Sequence, residues 1–350
     1  MIDKIFGKFS RDLGIDLGTS STLIYVKEKG IIIDEPSVVA LNNKTHQILA
    51  VGKDAQRMIG KTPYYIQAIT PLEKGIISDF EVTEKMLKFF INKVHQGRFG
   101  FVPRPRVVIG ISLDITEVER KAVEDAVISA GAREVLLCES LIAAAIGARL
   151  PIQDPIGSMI VGLGGGTTEI GVVSLGGIVS WKSVKIAGND LNQDIIQYVR
   201  SEFNVLLGEK VAEMAKMKIG SAFSLEEPLE MRVRGRDLIS GLPKEIIVSD
   251  GQIREALSRS IRLIIDDIKA TLELTPPELV ADIYEKGMVL SGGGAMLRGM
   301  DQAIAKATQI PVGVADDPIT ATVRGTGIIV EDFENLKGII IPSTQQESAL

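Results

Sequence analysis

Apolar residues fall into short runs whose period changes along the chain. From Arg11 to Leu41, "RDLGIDLGTSSTLIYVKEKGIIIDEPSVVAL" gives three Ile/Val/Leu-rich runs joined by tight turns, the pattern of three strands. Met86, Leu87, Phe90, Ile91 and Val94 then recur at helical spacing within "TEKMLKFFINKVHQ". "RVVIGISL" is an unbroken apolar run, which predicts a buried strand. In "ITEVERKAVEDAVISAGA" the spacing predicts a helix, with Thr116 and Glu119 placed as a capping box and Gly131 as its stop. "EVLLCESLIAAAIGARL" predicts a strand running into a helix.

After this the pattern begins again. "MIVGLGGGTTEIGVVSLGGIVSWKSVKIAG" repeats strand, loop, strand, turn, strand. The restart predicts a duplicated α/β fold with its break near Pro151 to Gly157. The second half carries a predicted helical insertion, about Asn189 to Ser221, and a polar β-like stretch to about Asp250. "DGQIREALSRSIRLIIDDIKATLELTPPEL" predicts one long amphipathic helix closed by Pro276 and Pro277, and "KGMVLSGGGAMLRGMDQAIAKAT" predicts strand, glycine turn, helix.

Composition narrows the class. The chain has 350 residues, 45% of them apolar and 24% charged, enough for two domains with large cores. Mean hydropathy is +0.21, which buried Ile/Val-rich sheets explain, since no apolar run reaches the roughly 18 residues that span a bilayer. The first ten residues lack the apolar stretch and cleavage site of a signal peptide. Cys138 is the single cysteine, so no internal disulfide forms and a cytoplasmic location is expected. Net charge is −6, without a basic stripe interleaved with aromatics, which argues against nucleic acid as a partner. His46 and His95 are isolated, and no zinc-ligand spacing occurs.

The chemistry-bearing feature is glycine directly after buried strands. "LGIDLGTSSTLIYV" and "IVGLGGGTTEIGVVSL" align at Gly18 with Gly164 and at Thr22 with Thr168. A third turn, Gly292–Gly293–Gly294, leads into a helix. Glycine lets backbone N–H groups approach phosphate oxygens closely, and the Thr and Ser hydroxyls add donors. P-loop and dinucleotide fingerprints do not fit: no "GKS" or "GKT" occurs, and the first two loops lead into strands. Read alone, each turn is also an ordinary tight hairpin; their coincidence with the repeat favours phosphate.

Together these stretches resemble the actin, Hsp70 and sugar-kinase superfamily and, within it, the MreB family of bacterial actin homologues. The resemblance covers essentially the whole chain and rests on the two hairpins with "GRDLISGLPK", "TLELTPPELVADI" and "LSGGGAMLRGMD". It implies a duplicated actin-like (ribonuclease-H-like) α/β fold, two domains around a nucleotide cleft, each with a smaller subdomain. The first domain would be 1–150 plus about 315–350, with its subdomain at about 34–75; the second would be 151–314, with its subdomain at about 189–250. The implied cofactors are ATP and Mg2+. Asp16 (toward the metal, through water), Gly18, Thr19 and Ser20 would form one phosphate loop. Gly164, Gly165, Gly166, Thr167 and Thr168 would form the other. Glu213 and Lys216 look like the ribose and adenine side, although as residues alone they are an ordinary solvent-facing helix pair. Gly292, Gly293 and Gly294, with Ala295 and Met296, would back the nucleotide.

Two positions depart from the family pattern, and both bear on catalysis. The family's second loop begins with Asp where this chain has Gly162. The family's helix after the Cys138 strand carries a water-positioning glutamate where this chain has Ser140. A serine can orient water but cannot act as base near neutral pH, and loss of a general base costs about 10²–10⁴ in rate. Ser140 also reads as a helix N-cap. Glu139 is the rescue candidate, although one helix position is a rotation of about 100° away, and Thr167 is a second water contact. ATP binding with slow or absent hydrolysis is the expectation.

The family assembles into filaments, usually paired and antiparallel, on the inner face of the cytoplasmic membrane. Here Ile2, Ile5, Phe6 and Phe9 share a helical face beside Lys4, Lys8 and Arg11, the form of an interfacial anchor. Phe99 and Phe101 lie among Arg98, Arg104 and Arg106, as a membrane-facing loop or as ordinary packing. The implied role is cell-shape maintenance, with motility a further option. Three other classes stay open. A regulatory partner of other actin-like filaments fits the altered catalytic positions. A small-molecule kinase would need the carboxylates that are missing. An Hsp70-like chaperone would need a peptide-binding domain, for which the stretch after the last ATPase-like helix is too short.

Overall fold

The computed structural model describes residues 11–95 and 104–342. By contacts the chain divides into two compact units, residues 1–156, 173–178 and 319–350, and residues 157–172 and 179–318.

In chain order the first unit holds β1 (Leu13–Leu17), β2 (Ser21–Val26), β3 (Gly30–Pro36), β4 (Val39–Asn42), β5 (Ile48–Val51), α1 (Lys53–Gln56), β6 (Ile66–Ile69), β7 (Leu72–Glu73), β8 (Ile76–Ile77), α2 (Phe80–His95), β9 (Arg106–Ile111), α3 (Glu117–Ser129), β10 (Glu134–Glu139) and α4 (Ser140–Gly147). Next come β11 (Ser158–Leu163), β12 (Thr168–Ser174) and β13 (Gly177–Val184), then α5 (Gly188–Phe203), β14 (Val205–Leu206), α6 (Glu209–Ile219), β15 (Glu230–Asp237), β16 (Pro243–Ser249), α7 (Asp250–Glu273), α8 (Pro277–Lys286), β17 (Met288–Ser291), α9 (Met300–Thr308) and β18 (Val312–Val314). The chain then returns to the first unit as α10 (Ala321–Glu331).

Each unit is built on a five-stranded sheet, and the two sheets share one order. The first runs β10–β9–β1–β2–β3 and the second β18–β17–β11–β12–β13. β1, β9 and β10 are parallel, while β1, β2 and β3 form an antiparallel meander. β11, β17 and β18 are parallel in the same way. The restart of the apolar pattern is therefore a duplicated fold.

The two faces of the first sheet are packed differently. Leu13, Ile15, Val107, Ile109, Ile111 and Leu137 point at Met86, Leu87, Phe90 and Ile91 of α2 and Val123 and Val127 of α3. Each such aliphatic side chain contributes about 1.5–3 kcal/mol by leaving water. On the other face the helices come much closer. A Cβ on Gly14 would lie 2.7 Å from Thr326 Oγ1 of α10, and one on Gly325 would lie 1.7 Å from the Ala143 carbonyl of α4. Glycine is the only residue that permits this approach. The glycines of 321–331 are the contact surface of a buried helix.

Other departures have local causes. The predicted three strands of residues 11–41 are four, because Pro36 ends β3 and β4 joins β5 and β6 in a separate sheet. Pro276 and Pro277 close α7, and Pro277 also opens α8 as its first residue. The insertion after Asn189 breaks at Asn204, which is left-handed (φ 55°), and its polar continuation is the β15–β16 hairpin, with β14 beside β15. The capping box of α3 is formed as expected by Thr116 and Glu119. Among the described residues no helix is long and apolar enough to cross a membrane. Ile2, Ile5, Phe6, Phe9, Phe99 and Phe101 lie outside the described residues.

Candidate functional site

The first glycine loop is a hairpin closed at its base. The Gly18 N–H donates to the Ser21 carbonyl at 3.0 Å. A Cβ on Gly18 would sit 2.9 Å from that oxygen, so the turn admits no side chain there. Ser37 holds the loop from behind: its hydroxyl donates to the Gly18 carbonyl (2.7 Å) and its N–H to the Ser20 carbonyl (3.1 Å). Thr22 Oγ1 and Ser37 Oγ are 2.8 Å apart, and both side chains are fully buried. Carbonyl oxygens, which repel phosphate, are thus turned into the body. Thr19 is buried and its Oγ1 accepts the Gly75 N–H at 3.0 Å. Ser20 is exposed.

The second loop repeats the device. Gly164 N–H donates to the Thr167 carbonyl at 2.9 Å, and a Cβ on Gly164 would meet that oxygen at 2.8 Å. Its rear support is the first turn of α5: Gly188 N–H donates to the Gly164 carbonyl (3.0 Å) and Asn189 N–H to the Gly165 carbonyl (2.9 Å). Gly166 and Thr167 complete the turn. Thr168, like Thr22, is fully buried, and its hydroxyl donates to the Ile186 carbonyl at 2.7 Å. That hydroxyl is spent on holding the hairpin.

Lys216 and Glu213 lie on α6. Lys216 Nζ donates to the Gly188 carbonyl at 2.7 Å, beside the second loop. Burial pushes its pKa down, with Glu213 and Glu209 pulling the other way. A half-buried ammonium against the positive end of a helix is poorly placed unless an anion comes to it.

The third turn packs on the end of β11. Gly292 is left-handed (φ 80°), and a Cβ there would lie 2.4 Å from the Leu163 carbonyl. A Cβ on Gly294 would lie 2.8 Å from the Leu163 Cβ, whereas one on Gly293 would meet nothing within 4 Å. Gly293–Met296 form a short 3-10 turn in which Ala295 is buried and Met296 exposed.

The positions that resemblance links to hydrolysis occupy strand ends. Asp16 follows the Ile15–Ile109 pair of β1 and β9, which brings it level with Gly110, itself paired with Cys138 of β10. Its Oδ1 lies 4.0 Å from the Cβ position of Gly18. A Cβ on Gly110 would lie 2.8 Å from Ser140 Oγ, so Asp16 and Ser140 share the sheet face that carries α4 and α10. Glu139 pairs with Ile111 and belongs to the opposite face. Burial raises its carboxyl pKa. Ser140 is not the N-cap expected: Glu139 caps α4, without a side-chain bond, and Ser140 is the first helical residue. Gly162 pairs with Ser291 in the second sheet, at the place Asp16 holds in the first. Cys138 is fully buried with its thiol pKa pushed up by burial, which leaves no reactive thiolate.

Sequence reasoning missed Ser37 and Gly188, the two rear supports. The signal for Ser37 was a lone hydroxyl in the apolar run "PSVVAL". In the first unit the loop offers backbone N–H groups and hydroxyls with Asp16 as the carboxylate beside it; in the second unit the loop offers backbone N–H groups with one ammonium, Lys216, beside it. Each donor-rich loop by itself fits phosphate. Among the described residues no group of three or more His, Cys, Asp or Glu side chains is placed to hold a metal ion.

Comparison with known proteins agrees with the fold. The family model described as MreB/Mbl protein matches residues 10–338. The cell shape-determining protein MreB of Escherichia coli is 48% identical over 335 residues, covering 95% of this chain and 96% of that relative. The cell shape-determining protein Mbl of Bacillus subtilis is 46% identical over 328 residues, covering 94% and 98%. MreB5 of Spiroplasma citri bound to ADP superposes with a TM-score of 0.89 at 37% identity, covering 94% of this chain and 98% of that one. The same protein bound to AMPPNP gives 0.89 at 36% identity, covering 97% and 99%.

Proposed function

The chain belongs to the MreB/Mbl family, and from that premise we propose that it is an ATP-binding, actin-like cytoskeletal protein that assembles into filaments and sets cell shape. The observation that carries nucleotide binding is the pair of glycine hairpins, each closed by the same backbone bond and each with its carbonyls turned inward. ADP and AMPPNP in structures of a relative support an adenine nucleotide as the ligand. Mg2+ would come with the phosphates, held largely by their oxygens and by water, with Asp16 the nearby carboxylate; bound, it would neutralise phosphate charge.

We further propose that hydrolysis is weak or absent. The chain's own groups bind and orient phosphate, but Gly162 offers no carboxylate and Ser140 no base. Glu139 faces the other side of the sheet, so it does not replace Ser140. Thr167 is left as a water contact. The filament, paired and antiparallel as family resemblance suggests, would lie on the inner face of the cytoplasmic membrane. Ile2, Ile5, Phe6, Phe9, Phe99 and Phe101 are proposed as its contacts. A second reading, a regulatory partner that binds ATP and modulates other actin-like filaments, is favoured by the same two positions.

The test is phosphate release from Mg-ATP under conditions where sedimentation shows filaments, beside a Gly162→Asp, Ser140→Glu double variant. The natural protein is expected to be nearly silent and the variant to gain turnover. Brisk release by the natural protein would refute weak hydrolysis. Absence of sedimenting filaments from the protein alone would favour the regulatory reading.

A further inference from the structure

Glu35, near the end of β3, joins three elements of the first unit. Its Oε1 accepts a proton from Lys93 Nζ, in the last turn of α2, at 2.9 Å, and its Oε2 accepts the Lys53 N–H that opens α1, also at 2.9 Å. The Glu35 side chain is 14% exposed and that of Lys93 41%. Burial works against the charge of the carboxyl, but the bonds from Lys93 and the Lys53 N–H outweigh it and hold the group below its ordinary pKa. The backbone is shaped around this contact. Gly52, just before α1, has a φ of 69°, and a Cβ there would lie 2.5 Å from Glu35 Oε2. Gly52 offers α1 no side-chain cap, so the first amide of that helix takes its acceptor from Glu35.

α1 goes with the small sheet β5–β4–β6, whose own core is slight. Val38, Ala40 and Ala55 are buried together there, with Ala50, Met58 and Ala68 packed beside them. On its other side Val39 and Val51, with Ile48, enter the main core of the unit. That is a modest apolar anchor for a three-stranded sheet, so a charged contact at its edge carries weight in deciding where the sheet sits. Ser37 lies at the joint. Before it, β3 pairs Glu35 with Thr22 of β2; after it, the Val38 carbonyl accepts the Gly52 N–H at 2.8 Å. The Ser37 hydroxyl is also the rear support of the Gly18 carbonyl. A shift of the small sheet against β3 therefore acts on Ser37 first.

We propose that Glu35 is a latch: oriented by Lys93 of α2, its carboxylate fixes α1 and the small sheet against the body of the unit, and through Ser37 it sets how firmly the first glycine hairpin is backed. The link to the hairpin rests on the ATP-binding reading above; the latch itself does not. Lys93 orients the carboxylate and Glu35 holds α1, so Glu35 is a positioning residue. Coupling of this kind is reciprocal: the factor by which opening the latch weakens ATP is the factor by which bound ATP favours the closed latch. Lys93 is partly in solvent, so salt weakens the pair. The latch thus makes the pose of the small sheet respond to ionic strength at a point outside the glycine loops.

The experiment is native-state amide hydrogen exchange on the full chain and on Glu35→Gln, Lys93→Met and Lys93→Arg, with and without ATP. Glutamine keeps the shape and an acceptor for the Lys53 N–H but loses the charge. Exchange over residues 38–69 is expected to speed up about fivefold in Glu35→Gln and in Lys93→Met, while β9 and the middle of α2 keep the natural rate. Lys93→Arg should stay within about twofold of the natural protein. The Glu35→Gln, Lys93→Met double variant should exchange no faster than the faster single variant, because the two residues make one contact. Added salt should speed residues 38–69 in the natural protein and leave Lys93→Met unchanged. ATP should slow the same residues in the natural protein, and its affinity should fall about threefold in Glu35→Gln. Unchanged exchange over 38–69 in the variants overturns the latch. Equal acceleration in β9 and α2 also overturns it, since the pair would then serve general stability. If the variants loosen 38–69 as expected while the natural protein binds ATP without slowing them, the link through Ser37 is overturned. If the natural protein binds no ATP, the nucleotide reading fails with that link, and the exchange rates alone decide the latch.

Discussion

The two glycine hairpins are chemically one device held in two ways. Gly18 bonds to Ser21 and Gly164 to Thr167 at nearly equal distances, and Thr22 and Thr168 are buried at matching positions. Behind them the supports differ. The Gly18 carbonyl is satisfied by a side chain, the Ser37 hydroxyl, whereas the Gly164 carbonyl is satisfied by backbone, the Gly188 N–H at the start of α5. The strand ends differ too, with Asp16 in one sheet and Gly162 in the other. The duplicated backbone thus keeps the closed hairpin in both copies, while the groups around it differ. What both copies share is the bond that closes the turn, and what only one has is the carboxylate at the strand end.

The hairpin glycines give the largest expected effect. In Gly18→Ala or Gly164→Ala the new Cβ would lie 2.9 or 2.8 Å from the carbonyl that closes the turn. Overpacking of this kind costs about 1–3 kcal/mol, equivalent to about ten- to a hundredfold in affinity if it falls on binding. Calorimetric titration with ATP should find both variants weakened to a similar degree. Tolerance of one but not the other would break the equivalence of the loops.

A smaller effect separates the supports. Ser37→Ala leaves the Gly18 carbonyl and the buried Thr22 hydroxyl without their partner, at about 1–3 kcal/mol. Lys216→Met removes one bond to the Gly188 carbonyl, which as a helix carbonyl keeps its backbone partner, so its cost should stay below about 1 kcal/mol. Urea unfolding of both variants checks the order. A reversed order would mean that the lysine, and not the helix turn, secures the second loop.

Much of the comparison was legible in the sequence, for identifiable reasons. Strand, glycine and strand is a local pattern, and its repetition at Gly18 and Gly164 needed no tertiary information. The capping box of α3 and the proline at the start of α8 are equally local. The missing parts are long-range. Ser37 is 19 residues from Gly18, and Gly75 is 56 residues from Thr19; no spacing rule links them. In the helix Ala321–Glu331, Gly325 and Gly327 lower helix propensity, and only the close approach to α4 and Tyr25 repays that. Ser140 was misplaced by one residue, since a serine before an apolar run reads as a cap while the β10 strand delivers Glu139 to that position.

The finest test concerns pH, and Lys216 decides its sign. Its pKa lies below 10.5 in the folded chain because burial penalises the charged form. The unfolded chain therefore binds more protons across the window between that lowered value and 10.5. Through this window the penalty is progressively relieved, so the contribution of Lys216 to stability improves as pH rises. Ligand binding runs the opposite way. An anion beside the ammonium favours its charged form and draws a proton back on, so ATP affinity should fall as pH rises through the same window. Calorimetry in two buffers of different ionisation enthalpy should show proton uptake on ATP binding there. In Lys216→Met both the uptake and the slope should disappear. An unchanged slope would assign the proton to another group and leave Lys216 as a support for α5 alone.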